Sequence, residues 1–193
     1  MKLEINHQEK YSRLELILRT LFGWLYIGIP HLFLLFFVSI WSMILKIVAF
    51  FAVLFTGKYP AGIYNFHLGV MRWNLRLTAR LNNLSDGYPA FGLKAQDPKT
   101  TLEATNPEKL SRLLLIVRIL FGFIYVVIPH YFILFFRGIA TGILMIISWF
   151  AVLFTGKYPA SFHEFNTGTL RWGTRVNLYM GFMTDKYPPF TGK

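Results

Sequence analysis

Five ionisable side chains besides Arg137 stand inside or at the start of stretches of sequence that are otherwise almost wholly apolar. His31 and His130 each follow a proline, Arg19 and Arg118 lie near the start of two apolar runs, and Lys46 interrupts the first run. An imidazole can carry a proton, ligate a metal or hydrogen-bond, so two at equal depth could give haem its axial ligands or handle a proton, quinone or other substrate. The mechanical alternative is that Pro30 and Pro129 each free a carbonyl one turn back, and a neutral imidazole satisfies a polar group at the kink. Arg19 has Glu15 one turn earlier as a partner, whereas Arg118 has Leu114 there; both are near enough to a run's end to snorkel to its surface. Lys46 has no acid between residues 20 and 57. Snorkelling, a lipid phosphate or another protein are all open to it.

Other catalytic constellations are missing. No acid pair, Ser-His-Asp set, His-Glu-x-x-His helix or Cys cluster occurs, which points away from an enzyme and from a resident metal. Gly57-Lys58 is no phosphate loop, because that motif needs Gly where Ala52 stands and Ser or Thr where Tyr59 stands.

The elements that position these residues follow from composition. The 193-residue chain is 54% hydrophobic, 15% charged and free of cysteine, with 20 Phe and a net charge of +11. Soluble domains average about 25% charged residues. So much apolar surface exceeds what a core of this size can bury. Basicity in an apolar chain points to a bilayer with anionic phospholipid rather than to nucleic acid.

Thr20–Gly57 and Ile119–Gly156 are runs of 38 residues, each with a single charge, Lys46 and Arg137. A bilayer core is crossed by about 20 apolar residues. Each run is therefore expected to form a hairpin of two spans, near 14–37 and 40–57, then near 113–136 and 139–156. Val38-Ser39 and Arg137-Gly138 would be the turns. Nearly all basic residues fall outside the runs or at their ends, which puts both termini and the long connection in the cytoplasm. The polar start, Met1 to Arg13, does not resemble a signal peptide.

Shifted by 99 residues without a gap, Ser12–Lys94 aligns with Ser111–Lys193 at 42 of 83 positions. Pro30-His31, Arg72-Trp73 and Tyr88-Pro89 all recur, as does the block Phe51–Ala61. The expected fold is an all-α membrane protein of four transmembrane helices. Two tandem hairpin repeats, 1–94 and 111–193, are joined by a polar linker at 95–110 and related by a pseudo-twofold along the membrane normal.

In these motifs the chain resembles a family of bacterial membrane proteins classed as a domain of unknown function. The family pattern is Pro-His in a first span, Phe-Thr-Gly-Lys-Tyr-Pro after a second, then Arg-Trp and Tyr-Pro-Pro-Phe. The first copy departs from it at Ala90, where the second has Pro189. The resemblance implies a bacterial inner-membrane protein and no particular activity.

After each hairpin, 61–84 and 160–183 have the period of an amphipathic helix, with Pro60 suited to a first turn and Gly57 to a helix end. Such a helix can lie at the interface, with Trp73 and Trp172 at headgroup level. Lys58, Arg72, Arg76, Lys157, Arg171 and Arg175 would then meet lipid phosphate or a partner protein. It can equally pack on the protein's own spans. The leading expectation is a non-catalytic accessory or scaffold protein without a cofactor, contacting lipid, a membrane partner or a second copy. The alternatives are a small transporter or lipid-handling protein with a midplane site near His31 and His130, and a haem or quinone subunit.

Overall fold

A computed structural model describes all residues from Met1 to Lys193. In chain order the elements are β1 (Lys2–Ile5), α1 (Arg13–Thr56), α2 (Ala61–Leu81), β2 (Thr100–Glu103), α3 (Arg112–Thr155) and α4 (Ala160–Met180). Ser12 and Ser111 cap the long helices, accepting from Glu15 N and Leu114 N at 3.2 Å each. Gly57 and Gly156 end them at φ 69° and 72°, a left-handed conformation that glycine adopts without steric cost. Pro60 and Pro159 then lead into α2 and α4.

The expected hairpins do not form. Each apolar run lies within one helix of 44 residues, ~66 Å long at ~1.5 Å per residue. No turn occurs at Val38-Ser39 or Arg137-Gly138. The chain thus has two helices long and apolar enough to cross a membrane, not four. The turn was expected because a mid-run Arg137 would be costly in hydrocarbon. In fact α4 supplies its partners: Nε donates to Thr169 Oγ1 at 2.8 Å and Nη2 to the Phe165 carbonyl at 3.0 Å, with the Phe165 ring 4.0 Å below. A satisfied guanidinium gives the helix no reason to reverse.

Both long helices contain a π turn, at Trp24–Gly28 and Phe123–Val127, immediately before Pro30 and Pro129. Proline removes a donor and crowds the carbonyl four residues back. A widened turn absorbs that clash.

α2 packs along α1, and α4 along α3. The α1 stripe that they cover is Leu16, Arg19, Gly23, Ile27, His31, Leu35, Ala49 and Val53, a spacing of three and four with one long gap. The two repeats meet head to tail. Tyr11 N donates to the Gly156 carbonyl at 2.9 Å, and its counterpart Leu110 N to the Gly57 carbonyl at 2.8 Å. Such reciprocity is the mark of a twofold relation. Leu16, Val53, Leu115 and Val152 share one core, so the repeats pack as a unit.

The 95–110 connection is more ordered than a linker. Its β2 pairs antiparallel with β1, Lys2 opposite Glu103 and Ile5 opposite Thr100, which buries Leu3, Ile5 and Leu102.

Candidate functional site

The repeated motifs converge on one aromatic nest per repeat. Trp73 Nε1 donates to His31 Nδ1 at 2.7 Å, and Trp172 Nε1 to His130 Nδ1 at 2.8 Å. Phe91 stacks on the His31 ring at 3.8 Å between centroids, and Phe190 on His130 at 4.0 Å. Tyr88 and Tyr187 close the sides. These hydroxyls have a second task. Tyr88 Oη donates to the Tyr26 carbonyl at 3.1 Å, and Tyr187 Oη to the Tyr125 carbonyl at 3.0 Å. Those are the carbonyls four residues before Pro30 and Pro129. The proline-freed carbonyl is therefore satisfied by tyrosine, and the imidazole by tryptophan.

This arrangement bears on chemistry. With Nδ1 accepting from an indole, each neutral imidazole carries its proton on Nε2, which is buried and has no hydrogen-bond partner. Both histidines are 0% exposed. The ring partners of His31 all belong to the first repeat and those of His130 to the second, so no shared axial-ligand pair is assembled. With one face under Phe and the edges held by Trp and Tyr, neither ring offers an open side to a porphyrin or to a transported solute.

The cationic row on α2 and α4 is engaged within the protein. Arg76 donates to the carbonyls of Ala90, Gly92 and Ala95, at 3.1, 2.5 and 2.9 Å. Arg72 holds the Leu102 carbonyl at 2.8 Å, binding α2 to β2. Arg171 takes the Leu3 and Gly192 carbonyls, and Arg175 those of Thr191 and Lys193. Trp73 and Trp172 are 4% and 3% exposed, buried in their nests rather than displayed on the helix surface. Guanidinium groups with five donors suit this bracing of loop carbonyls.

Arg19 and Arg118 are also internal, not snorkelling. Arg19 pairs with Asp86 at 2.7 Å and with the Ser85 carbonyl at 2.9 Å, and reaches Glu15 at 3.4 Å. Arg118 pairs with Asp185 and the carbonyls of Tyr179 and Thr184. Each thereby ties a long helix to the loop after its companion helix. Arg80 and Asp97 form a further buried pair at 2.7 and 2.9 Å. Burial alone would raise the Asp97 pKa. Hydrogen bonds from Arg80, Lys99 N and Thr100, with the Arg80 charge, outweigh that and hold it below the usual carboxylate range. In two buried histidines outside the long helices burial prevails instead. Burial pushes His67 down, against its hydrogen bond to the Ser42 carbonyl, and Lys46 adds to the lowering. Burial likewise lowers His163, against a bond to the Leu84 carbonyl.

Lys58 and Lys157 are exposed at the ends of the long helices. Arg112 lies beside Gly57, and Arg13 and Lys10 beside Gly156, each of them exposed. Lys46 is exposed and forms neither ion pair nor hydrogen bond. Sequence reasoning missed Arg13, Arg112, Asp86 and Asp185 as contributors, and marked Tyr88 and Phe91 only as parts of a repeated motif. The 99-residue repeat was the available signal, since Arg13, Asp86, Tyr88 and Phe91 recur as Arg112, Asp185, Tyr187 and Phe190.

Around the long helices the outer surface is apolar. Apart from Met1, Leu81, Tyr88, Phe91, Tyr187 and Phe190, every large hydrophobic side chain that is exposed lies on α1 or α3. Fold and nests together define a helical protein of two tandem repeats, each a long apolar helix clamped to a shorter one. Residues 13–92 and again 111–192 match the family described as a domain of unknown function (DUF4389), and the chain belongs to that family in two copies. No curated protein and no solved structure matches it.

Proposed function

We propose that the protein is a non-catalytic membrane module that beds α1 and α3 into one side of a bilayer and serves as an accessory or scaffold protein there. The observation that carries this is the division of its surface. Exposed apolar side chains from Leu14 to Phe55 and from Leu113 to Phe154 face outward, while α2, α4, the β pair and the loops cover the opposite side. Soluble monomers rarely expose continuous apolar patches of more than a few hundred Å².

The covering layer argues against a perpendicular crossing. It is bonded to α1 at Arg19 through Asp86, at His31 through Trp73, and at Ser42 through His67 (3.0 Å). An α1 that ran from one headgroup layer to the other would drag Arg76, the Arg80–Asp97 pair and the irregular 82–99 backbone through hydrocarbon. Irregular backbone there is tolerated only when shielded, and ionised groups are costly. Helices that enter and leave on the same side keep that layer in water. They replace the four-span arrangement.

Two basic groups, Lys58 with Arg112 and Lys157 with Arg13 and Lys10, then sit at the rim of the apolar face and meet anionic headgroups. The positive bias orients the polar layer to the cytoplasm, in a bacterial inner membrane. That layer, with its short helices braced by Arg72, Arg76, Arg171 and Arg175, is the surface available to a partner protein.

Flotation with phosphatidylethanolamine–phosphatidylglycerol vesicles tests the reading. The wild type should float, and the paired substitutions Phe36→Asp and Phe135→Asp should leave the protein in the aqueous fractions. A wild type that stays in buffer as a monodisperse homodimer would instead assign the apolar face to a second copy.

A further inference from the structure

Apart from the Arg80–Asp97 pair and Arg137, the two repeats differ in a groove that their symmetry would duplicate. A groove of about 550 Å³ opens between the start of α1, the last turns of α3 and the end of α2. Trp24, Leu81, Met145, Ile146 and Trp149 form its walls, and a Cβ added at Gly142 would meet nothing within 4 Å. Binding sites for small molecules span roughly 300–1,000 Å³. Trp24 and Ile146 are 65% and 62% exposed, so the groove is continuous with the apolar face.

One end is polar. Asn83 Oδ1 accepts from Arg19 Nε at 3.0 Å, which leaves its amide N–H₂ free, and the Asn82 side chain has no partner. Thr20 Oγ1 accepts from Trp149 Nε1 at 2.8 Å and fixes that wall. The charge of Arg19 is already matched by Asp86, so this end offers neutral amide donors.

The corresponding space in the second repeat is filled by the chain itself. Phe182, the counterpart of Asn83, is buried, and its ring centroid lies 6.1 Å from that of Phe50, the counterpart of Trp149. Met180 Cε comes within 3.0 Å of where a Cβ would stand at Gly122, against 3.9 Å for its counterpart Leu81 Cδ2 at Gly23. Met43 stands at the position of Gly142 and is exposed. The buried Phe182 ring thus fills one copy, whereas Asn83 in its place leaves the other open.

We propose that the open groove binds one phospholipid of the surrounding leaflet, an acyl chain taking the place of the Phe182 side chain. The amides of Asn82 and Asn83 donate to an ester carbonyl or phosphate oxygen at the headgroup end. The proposal rests on the membrane reading above and deepens it. Because the polar end carries amides and a matched arginine, the site holds zwitterionic and anionic phospholipids alike. The basic rim alone favours anionic lipid.

Two variants copy the second groove's plug or the first repeat's own residue: Asn83→Phe and Gly142→Met. Native mass spectrometry of protein extracted in mild detergent from membranes of phosphatidylethanolamine and phosphatidylglycerol reads the bound lipid. The wild type should retain one phospholipid per chain and each variant none, while all three float with vesicles to the same extent. A wild type that floats yet carries no phospholipid, or variants that both retain one, would overturn the groove site alone. A wild type that does not float would overturn the membrane reading on which it rests.

Discussion

Replacing Trp73 by Phe tests whether the histidine is a structural partner or a functional group. The indole N–H lies 2.7 Å from His31 Nδ1, and the two side chains are 4% and 0% exposed. The substitution leaves a buried acceptor without its donor, at a cost of about 1–3 kcal/mol, and removes one ring's worth of packing, about 1 kcal/mol more. The total should be about 2–4 kcal/mol. His31→Leu strands the indole N–H and should cost a similar amount. In the double variant neither polar group remains, so the two effects should fall short of their sum by roughly 1–2 kcal/mol, within the range found for directly contacting residues. Denaturant titration of the four proteins in detergent, followed by circular dichroism, measures this. The same cycle at Trp172 and His130 should give the same coupling. Strict additivity in both nests would show instead that the bond contributes nothing to the fold.

Three further outcomes follow from the bracing of the polar layer. Asp97→Asn leaves the buried Arg80 uncompensated and should destabilise by about 3–5 kcal/mol; because the folded pKa of Asp97 is depressed, the pair's contribution is present above the unfolded value near ~4 and is lost as pH falls through the lower folded one. His67 and His163 are held neutral in the folded state with lowered pKa values, so unfolded chains bind more protons below pH ~6.5 and stability should decline as pH drops from there; a variant with both replaced by Leu should show a flatter stability profile between pH ~6.5 and ~5. Arg137→Ala removes the bonds to Thr169 and Phe165 and should cost about 1–3 kcal/mol, read as a lower denaturation midpoint, with little change in helix content because α3 does not depend on a turn at that point.

The sequence disclosed the repeat, the helical class, the ends of α2 and α4 to within a few residues, and the family motifs. Those features are local. Gly57 and Pro60 mark boundaries by their own backbone chemistry, and the α2 period reports a single buried face. What stayed hidden depends on partners distant in sequence. Arg137 looked like a turn residue because the Phe165 carbonyl and Thr169, which satisfy it, lie a helix away. Arg72 and Arg76 looked lipid-facing because the carbonyls of Ala90, Gly92 and Leu102 cannot be seen from helix periodicity. The nest itself was half legible. Pro30-His31, Arg72-Trp73 and Tyr88-Pro89 were all conspicuous as repeated pairs, but nothing along the chain says that Trp73 donates to His31 while Tyr88 serves the carbonyl released by Pro30. β1 and β2 are four residues each, too short for alternation to stand out.

The central claim is that both long helices enter and leave the membrane on one side. The chain has no cysteine, so single cysteines can be introduced at Gly138, at Phe36 and at Lys94 without background. Intact cells are then treated from outside with a membrane-impermeant maleimide, and lysed cells serve as the control. One-sided insertion gives no labelling of any position from outside, labelling of position 94 after lysis, and shielding of position 36 by lipid in both. Labelling of position 138 from outside, with position 94 protected until lysis, would contradict it and restore a chain that crosses and returns.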